Sequence, residues 1–431
     1  MLLFAIVYVV EGIGQADFGV VAQPLTWYLK TIGWTPLQVT AYLAIFNLPW
    51  VIKPVYGIVS DFVPLFGYRR KSYLLIASTV AAVAYACVAR LADPGPIALF
   101  LSLTAYAMAI QSTMCGALLV ENGQRFDASG RFVNQQWLWF SVATLFSAVI
   151  GGELVQHLTA ISALHAAAAI GAAAPIAVIA ATPALVGEER RPIAPAELRG
   201  TLASLLAAFR SRRLWLLGGF LFLYSFSPGF GTPLYFYMTD HLRFPQSYIG
   251  DLTAISSAGW IVGALLYRRL LEGMWLRVLL NLSILLGTAS SLSFLLLSSE
   301  VSAALVNFGA GVAAMVTNVA TLTLTAIWCP KRSEGFVFAA MMSIINLAAP
   351  ASNNAGAFLY EHVFHSQLAP LVVVSAAFTA FAFAIVPLLR LGDRREGEVD
   401  SAPPPLTPPA RGGGQARSAA PSTSPPLAGG G

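Results

Sequence analysis

The sequence predicts an all-α membrane protein, with 12 transmembrane helices in two six-helix pseudo-symmetric halves. Three observations carry this. The 431 residues are 57% hydrophobic and only 10% charged, whereas soluble domains carry roughly 25% charged residues. Apolar stretches of about 20 residues, the length that crosses a bilayer, recur along the chain. A segment near the start also returns in similar form half a chain later.

The spans are read at residues 2–28, 37–60, 72–90, 97–120, 133–156, 162–184, 214–238, 247–267, 275–298, 301–327, 335–359 and 367–390. The first starts at Met1 with no cationic stretch ahead of it. It is too long for the apolar region of a secretory signal, so it is read as a helix. A cytoplasmic lead-in before it is expected. Cys87, Cys115 and Cys329 lie in or beside spans and read as small buried hydrophobes rather than a disulfide framework.

Orientation follows from the cations. With the Tyr68–Lys71 loop inside the cell, 21 of the 25 Lys and Arg residues fall on the inner side. Only Lys30, Arg90 and Arg243 fall outside, and Lys53 lies within the membrane. Both termini are therefore expected in the cytoplasm. The net charge of +5 is a topology signal, not a sign of nucleic-acid binding.

The longest internal polar stretch, "GEERRPIAPAELRGTLASLLAAFRSRR", separates six spans from six. The expected organisation is an N-terminal half over 1–186, a cytoplasmic linker over 187–213, a C-terminal half over 214–392 and a tail over 393–431. The tail, rich in Pro, Gly and Ser, cannot bury a core and is expected to be disordered. An offset of 209 brings Pro24 to Pro233, Leu25 to Leu234, Tyr28 to Tyr237 and Pro36 to Pro245 without a gap. Parallel six-span repeats are the architecture of major facilitator transporters, which place their site near the midplane between the halves.

Ionisable groups at membrane depth are costly and point to function. Glu11 and Asp17 lie in the first span, Lys53 in the second and Glu153 near the outer boundary of the fifth. Glu11 is about 15 Å from the inner end of its span and Lys53 roughly 10 Å from that of its own. Depth thus favours Glu11 over Asp17 as the partner of Lys53. Such a pair either serves transport or merely stabilises the N-terminal half. Pro49 and Pro54 flank Lys53 and interrupt its helix.

The seventh span, "YSFSPGFGTPLYFYMTD", and the first, "GIGQADFGVVAQP", carry Gly and Pro at corresponding positions. Interrupted spans in matching places of two halves point to a transport site, and tight helix crossings are the alternative. The aromatic residues around the seventh-span break, Tyr235 among them, suit a flat ring or an aromatic belt. Asn346 and Asn353, seven apart on one stripe of the eleventh span, either line a cavity or join helices.

The stretch from Gly57 and Asp61 to "GYRRK" resembles the loop motif of the major facilitator superfamily, with a longer insert. The whole stretch "PWVIKPVYGIVSDFVPLFGYRRKSYL" resembles the folate–biopterin transporter family of that superfamily. So do "AQPLTWYLK", "FLYSFSPGFGTPLYFYMTD" and "CPKRSEGFVFAAMMSIINLAAPASNNAGAFL". The resemblance covers residues 1 to about 390. It implies uptake of folates, pterins or related organic anions with protons. "ALLVEN" resembles the ending of the family's fourth span and adds Glu121. The chain departs from the family at Gly116, where the resemblance calls for an acid, and this leaves the solute and coupling ion open.

The substrate and proton site is therefore expected at Glu11, Gln15, Asp17, Lys53, Tyr235, Asn346 and Asn353. The gating motif is expected at Gly57, Asp61, Gly67, Arg69, Arg70 and Glu121. In a folate, the carboxylates need a cation, which Lys53 supplies, and a carboxylate can receive the pterin's neighbouring N–H donors. No enzyme signature, cofactor site or metal cluster is read. The partners expected are a small organic anion, protons and the lipid bilayer, for a monomer in a bacterial inner membrane. Two alternatives stand beside this: a non-transporting assembly or scaffold protein of the same fold, and a transporter of another cofactor-like solute.

Overall fold

The computed structural model describes residues 1–125, 129–190, 212–271, 274–328 and 334–389. Among these residues the chain is helical without strands, apart from an isolated bridge between Leu65 and Tyr68. Every one of the twelve predicted spans has helix at its place. In chain order the helices are α1 (Leu2–Gly14), α2 (Ala22–Thr31), α3 (Pro36–Ala44), α4 (Leu48–Val51), α5 (Lys53–Phe62), α6 (Lys71–Val88), α7 (Pro94–Arg125), α8 (Ser129–His157) and α9 (Ala160–Leu185). They continue as α10 (Arg212–Ser225), α11 (Gly231–Asp240), α12 (Gln246–Leu266), α13 (Leu276–Ser293), α14 (Glu300–Trp328), α15 (Glu334–Phe358) and α16 (Leu368–Ile385).

Nine described segments are long and apolar enough to cross a membrane, and Leu2–Gly14 and Leu214–Ser225 are shorter apolar helices. The short ones arise where a predicted span is interrupted. The first span breaks between α1 and α2, and the seventh breaks over Phe226–Phe230, between α10 and α11. The second is divided by a 3-10 turn at Ile45–Asn47 and again at Ile52. Most of the linker and the whole tail lie outside the described residues, as does Cys329.

The repeat read from four matched residues extends to helix boundaries. The offset of 209 carries Ala22 to Gly231 and Thr31 to Asp240, so the ends of α2 fall on those of α11. Local chemistry sets these ends. Thr35 caps α3 in a capping box: its hydroxyl accepts from Gln38 N at 3.4 Å and Gln38 Oε1 accepts from Thr35 N at 2.9 Å, with Pro36 starting the helix. The last carbonyls of α1 lack helical partners. Tyr85 donates to Gly14 O at 2.5 Å and Ser147 to Gly12 O at 3.3 Å.

The break in the seventh span is held backbone to backbone. Gly229 N donates to Ser352 O at 2.9 Å, and Ser352 Oγ donates to Ser227 O. A Cβ on Gly356 would stand 1.7 Å from Gly229 O. Only glycine at this crossing lets α15 lie against the unwound segment. His165 lies within α9, where its Nε2 meets Leu91 O at 2.7 Å. Glu153 is exposed and pairs with His157 at 3.1 Å, an interfacial contact one helical turn apart.

Candidate functional site

Lys53 opens α5 one residue after the chain leaves α4. Pro54 has no N–H, so the Trp50 carbonyl one turn back loses its helical donor. Asn346 of α15 supplies one, its Nδ2 donating to Trp50 O at 3.1 Å. A neighbouring polar side chain thus satisfies a freed carbonyl at membrane depth. The same turn aims Lys53 inward. Its Nζ donates to Ser112 Oγ of α7 at 2.9 Å and stands 4.6 Å from the centre of the Trp50 ring. An ammonium over an indole face is attracted by the ring quadrupole.

Glu11 of α1 is 5% exposed and feels the Lys53 charge. No ion pair joins the two directly among the described residues. Ser112 lies at both, bonded to Lys53 and beside the Glu11 carboxylate. Gln15 donates its amide to Glu11 Oε1 at 3.4 Å. Sequence reasoning missed Ser112. Its signal was the polar run Gln111–Ser112–Thr113 in the middle of an apolar span.

Asp17 is placed apart from Lys53. It sits in the turn after α1 and accepts from Asn47 Nδ2 at 2.7 Å, joining the break of the first span to that of the second. Tyr235 is also apart. Its hydroxyl donates to Gln246 Oε1 at 2.9 Å at the far end of the bundle. There Gln23 Nε2 donates to Gln246 O at 2.7 Å, and Lys30 meets Thr239 and Asp240, the latter at 2.5 Å. These contacts tie α2 to α11 and α12, across the two halves. Asn353 packs on Gly229 at the seventh-span break. Asn346 and Asn353, although on one stripe, therefore serve different junctions.

The loop at the arginine-rich end is a separate cluster. Arg70 Nη2 donates to Asp61 Oδ1 at 2.6 Å and to Glu121 Oε1 at 3.4 Å, while its Nη1 donates to Ser60. Arg69 Nη1 is 3.8 Å from Asp61. Asp61 is thus the arginine partner, and Glu188 caps the helix. The Glu188 carboxylate accepts the backbone N–H of Arg69 at 2.8 Å and those of Arg70 and Lys71 at 3.0 Å. An anion there satisfies the unpaired amides that open α6 and suits the positive end of its dipole. Gly67 turns the loop at φ +86°, a conformation that glycine adopts freely. Gly57 is not sterically required, since a Cβ there would only touch Thr113 at 3.8 Å. Among the described residues, the side-chain bonds of this cluster stay within the N-terminal half and Glu188 at the start of the linker. Gly116, where the family resemblance calls for an acid, has nothing within 4 Å of a Cβ built on it.

No group of three or more His, Cys, Asp or Glu residues that could hold a metal occurs among the described residues.

The chain resembles solved transporters in fold. A nucleoside transporter, NupG, superposes with a TM-score of 0.64 at 15% identity, covering 90% of this chain and 99% of its own. A D-xylose–proton symporter does so with a TM-score of 0.68 at 12% identity, covering 91% and 98%. The fold is thus that of the major facilitator transporters, as predicted. In sequence the chain is 27% identical over 417 residues to a folate-biopterin transporter of Synechocystis sp., covering 91% of this chain and 82% of that protein. It is 24% identical over 378 residues to folate transporter 2 of Plasmodium falciparum, covering 82% and 81%. The BT1 family profile matches residues 20–402, nearly the whole described chain, and the protein belongs to the BT1 family.

Proposed function

We propose that the protein is a secondary active transporter that carries folates, pterins or related organic anions across a membrane, coupled to protons, by alternating access. The observation that carries this reading is the Lys53 site. A cation at membrane depth is held at a helix break by Ser112 and Trp50, beside a buried acid, and the other half reaches the same break through Asn346. An anion arriving at Lys53 competes with Glu11 for its charge. A proton on Glu11 frees Lys53 for the anion. Trp50 offers its ring to a flat heterocycle. Relatives named as folate transporters support the solute class.

The organisation that fits is a pair of six-helix halves, 1–186 and 214–392, joined by the linker 187–213. The fit to a bacterial inner membrane, with both termini in the cytoplasm, rests on the bias of the cations and on the Synechocystis relative, and a monomer is the simplest assembly that needs no further interface. One observation favours the second reading, a different cofactor-like solute. The space around Gly116 offers no acid where the family resemblance calls for one.

The test is uptake of labelled folate and of a free pterin into proteoliposomes, with and without an inward proton gradient, for wild type and Lys53→Ala. Gradient-driven uptake that Lys53→Ala abolishes, with expression unchanged, supports both solute and site. Wild-type uptake by Lys53→Ala removes Lys53 from the mechanism. No uptake of either compound by correctly oriented protein discards this solute class.

A further inference from the structure

Three side chains between α1 and α7 are almost fully buried yet hold unpaired polar atoms. Glu11 Oε2 and both ends of the Gln111 amide have no hydrogen-bond partner in the protein, and Tyr8 OH has none but a weak thiol contact. Tyr8 is 1% exposed and Gln111 0%. Buried polar groups are paired in the great majority of cases, and each exception needs an explanation.

The helix ladder puts the three at one level. In the middle of α1 Tyr8 meets Cys115, and at its C-terminal end Gly14 packs on the Met108 side chain. Met108, Gln111 and Cys115 are three and four apart, so they share a face of α7. Glu11 lies midway between Tyr8 and Gly14, as Gln111 lies midway between Cys115 and Met108. The Tyr8 hydroxyl has only the Cys115 thiol beside it, a weak partner.

The charges select the occupant. The titratable groups that act on Glu11 are Lys53 from α5, Tyr8 from its own helix and Cys115 from α7. At Gly12, α8 brings the uncharged Ala143 and Thr144, and Ser147 as a donor. Lys53 already balances Glu11. A metal cation would leave an excess positive charge in an apolar bundle, and an anion would meet Glu11. A neutral ligand with both donors and acceptors fits, and a buried water that makes two to four hydrogen bonds is the smallest.

We propose that Gln111 and Tyr8 position a water molecule against Glu11 Oε2 and that this water delivers the coupling proton. With Glu11 ionised, the water donates to Oε2 and accepts from the Gln111 amide. When a proton passes, one O–H bond on a protonated water breaks and one forms on Oε2. The neutral carboxyl then donates outward to the water, which donates to Gln111 Oε1. Gln111 is a positioning residue that acts through the water. The proposal rests on the proton-coupled reading above, and its test separates the two.

The experiment is infrared difference titration of the purified full chain in lipid, following the carboxylic C=O band that Glu11→Gln removes. Gln111→Met keeps length and burial, and Tyr8→Phe removes only the hydroxyl. The expected result is a Glu11 band that moves to higher frequency in both variants as it loses a hydrogen bond. The titration midpoint should move about five-fold in proton affinity, the size of one ordinary hydrogen bond. An unchanged band and midpoint in folded Gln111→Met overturns the relay, as does the absence of any Glu11 band in wild type. Gradient-independent uptake with a shifted band would retire proton coupling, and with it the water's part in transport, and leave only the water site on Glu11. Should Gln111→Met not fold, Tyr8→Phe alone decides, since the ring is retained.

Discussion

Lys30 of α2 and Asp240 of α11 meet at 2.5 Å, with the Lys30 ammonium also 4.5 Å from the centre of the Phe236 ring. The pair joins the two halves at the end opposite the arginine-rich loop. Asp240 is 55% exposed, so the ion pair itself is worth about 0–1 kcal/mol. That is enough to bias an equilibrium between closed and open ends. Lys30→Met is expected to raise the labelling rate of a cysteine placed at Gln23 by up to about five-fold, since 1.4 kcal/mol is tenfold. Equal labelling in Lys30→Met and its parent would show that the pair does not hold this end.

Glu188 closes the N-terminus of α6 through three successive backbone amides. Glu188→Ala leaves these donors unpaired and is expected to destabilise by about 1–2 kcal/mol, the range of a lost cap. The melting temperature of the purified protein should fall by a few degrees. Glu188→Gln should recover part of the loss, because an amide oxygen still accepts. A melting curve identical to wild type for Glu188→Ala would show that water replaces the carboxylate without penalty.

The seventh-span break separates glycines that must be glycine from one that need not be. A Cβ on Gly356 would stand 1.7 Å from a backbone oxygen, whereas nothing lies within 4 Å of one on Gly231. Gly356→Ala is expected to lower folded protein in the membrane severely, by overpacking against backbone. Gly231→Ala should accumulate as wild type does. Comparable yields of the two variants on size-exclusion profiles would contradict the backbone contact.

Trp50 holds the Lys53 ammonium with its ring and the other half with its carbonyl. Only the ring is open to mutation. Trp50→Phe keeps an aromatic face and should lower uptake modestly. Trp50→Leu loses about 0.5–2 kcal/mol of cation–π attraction, and a several-fold rise in the KM for uptake is expected. A KM equal to wild type in Trp50→Leu would place the ring outside the solute site.

The helices were legible because apolar length and cation bias report directly on membrane crossing. The interruptions were legible too, since Pro54 and the Gly–Pro runs remove donors or side chains that regular helices need. The partners were not. Ser112 and Glu188 are ordinary residues whose roles come from packing between distant segments, and no spacing rule connects position 53 to 112 or 69 to 188. Asp17 and Tyr235 share composition with the Lys53 site but not location, because depth along one helix says nothing about the direction in which a side chain points.

The contact between Lys30 and Thr239 has a geometric consequence. The two positions are equivalent under the offset of 209 residues that relates the halves. Equivalent points that touch must straddle the axis that exchanges them, as self-complementary surfaces do in a two-fold dimer. The pseudo-dyad of the molecule therefore passes between α2 and α11 at this spot. With a lysine on one side and threonine and aspartate on the other, the contact across that axis is complementary rather than identical.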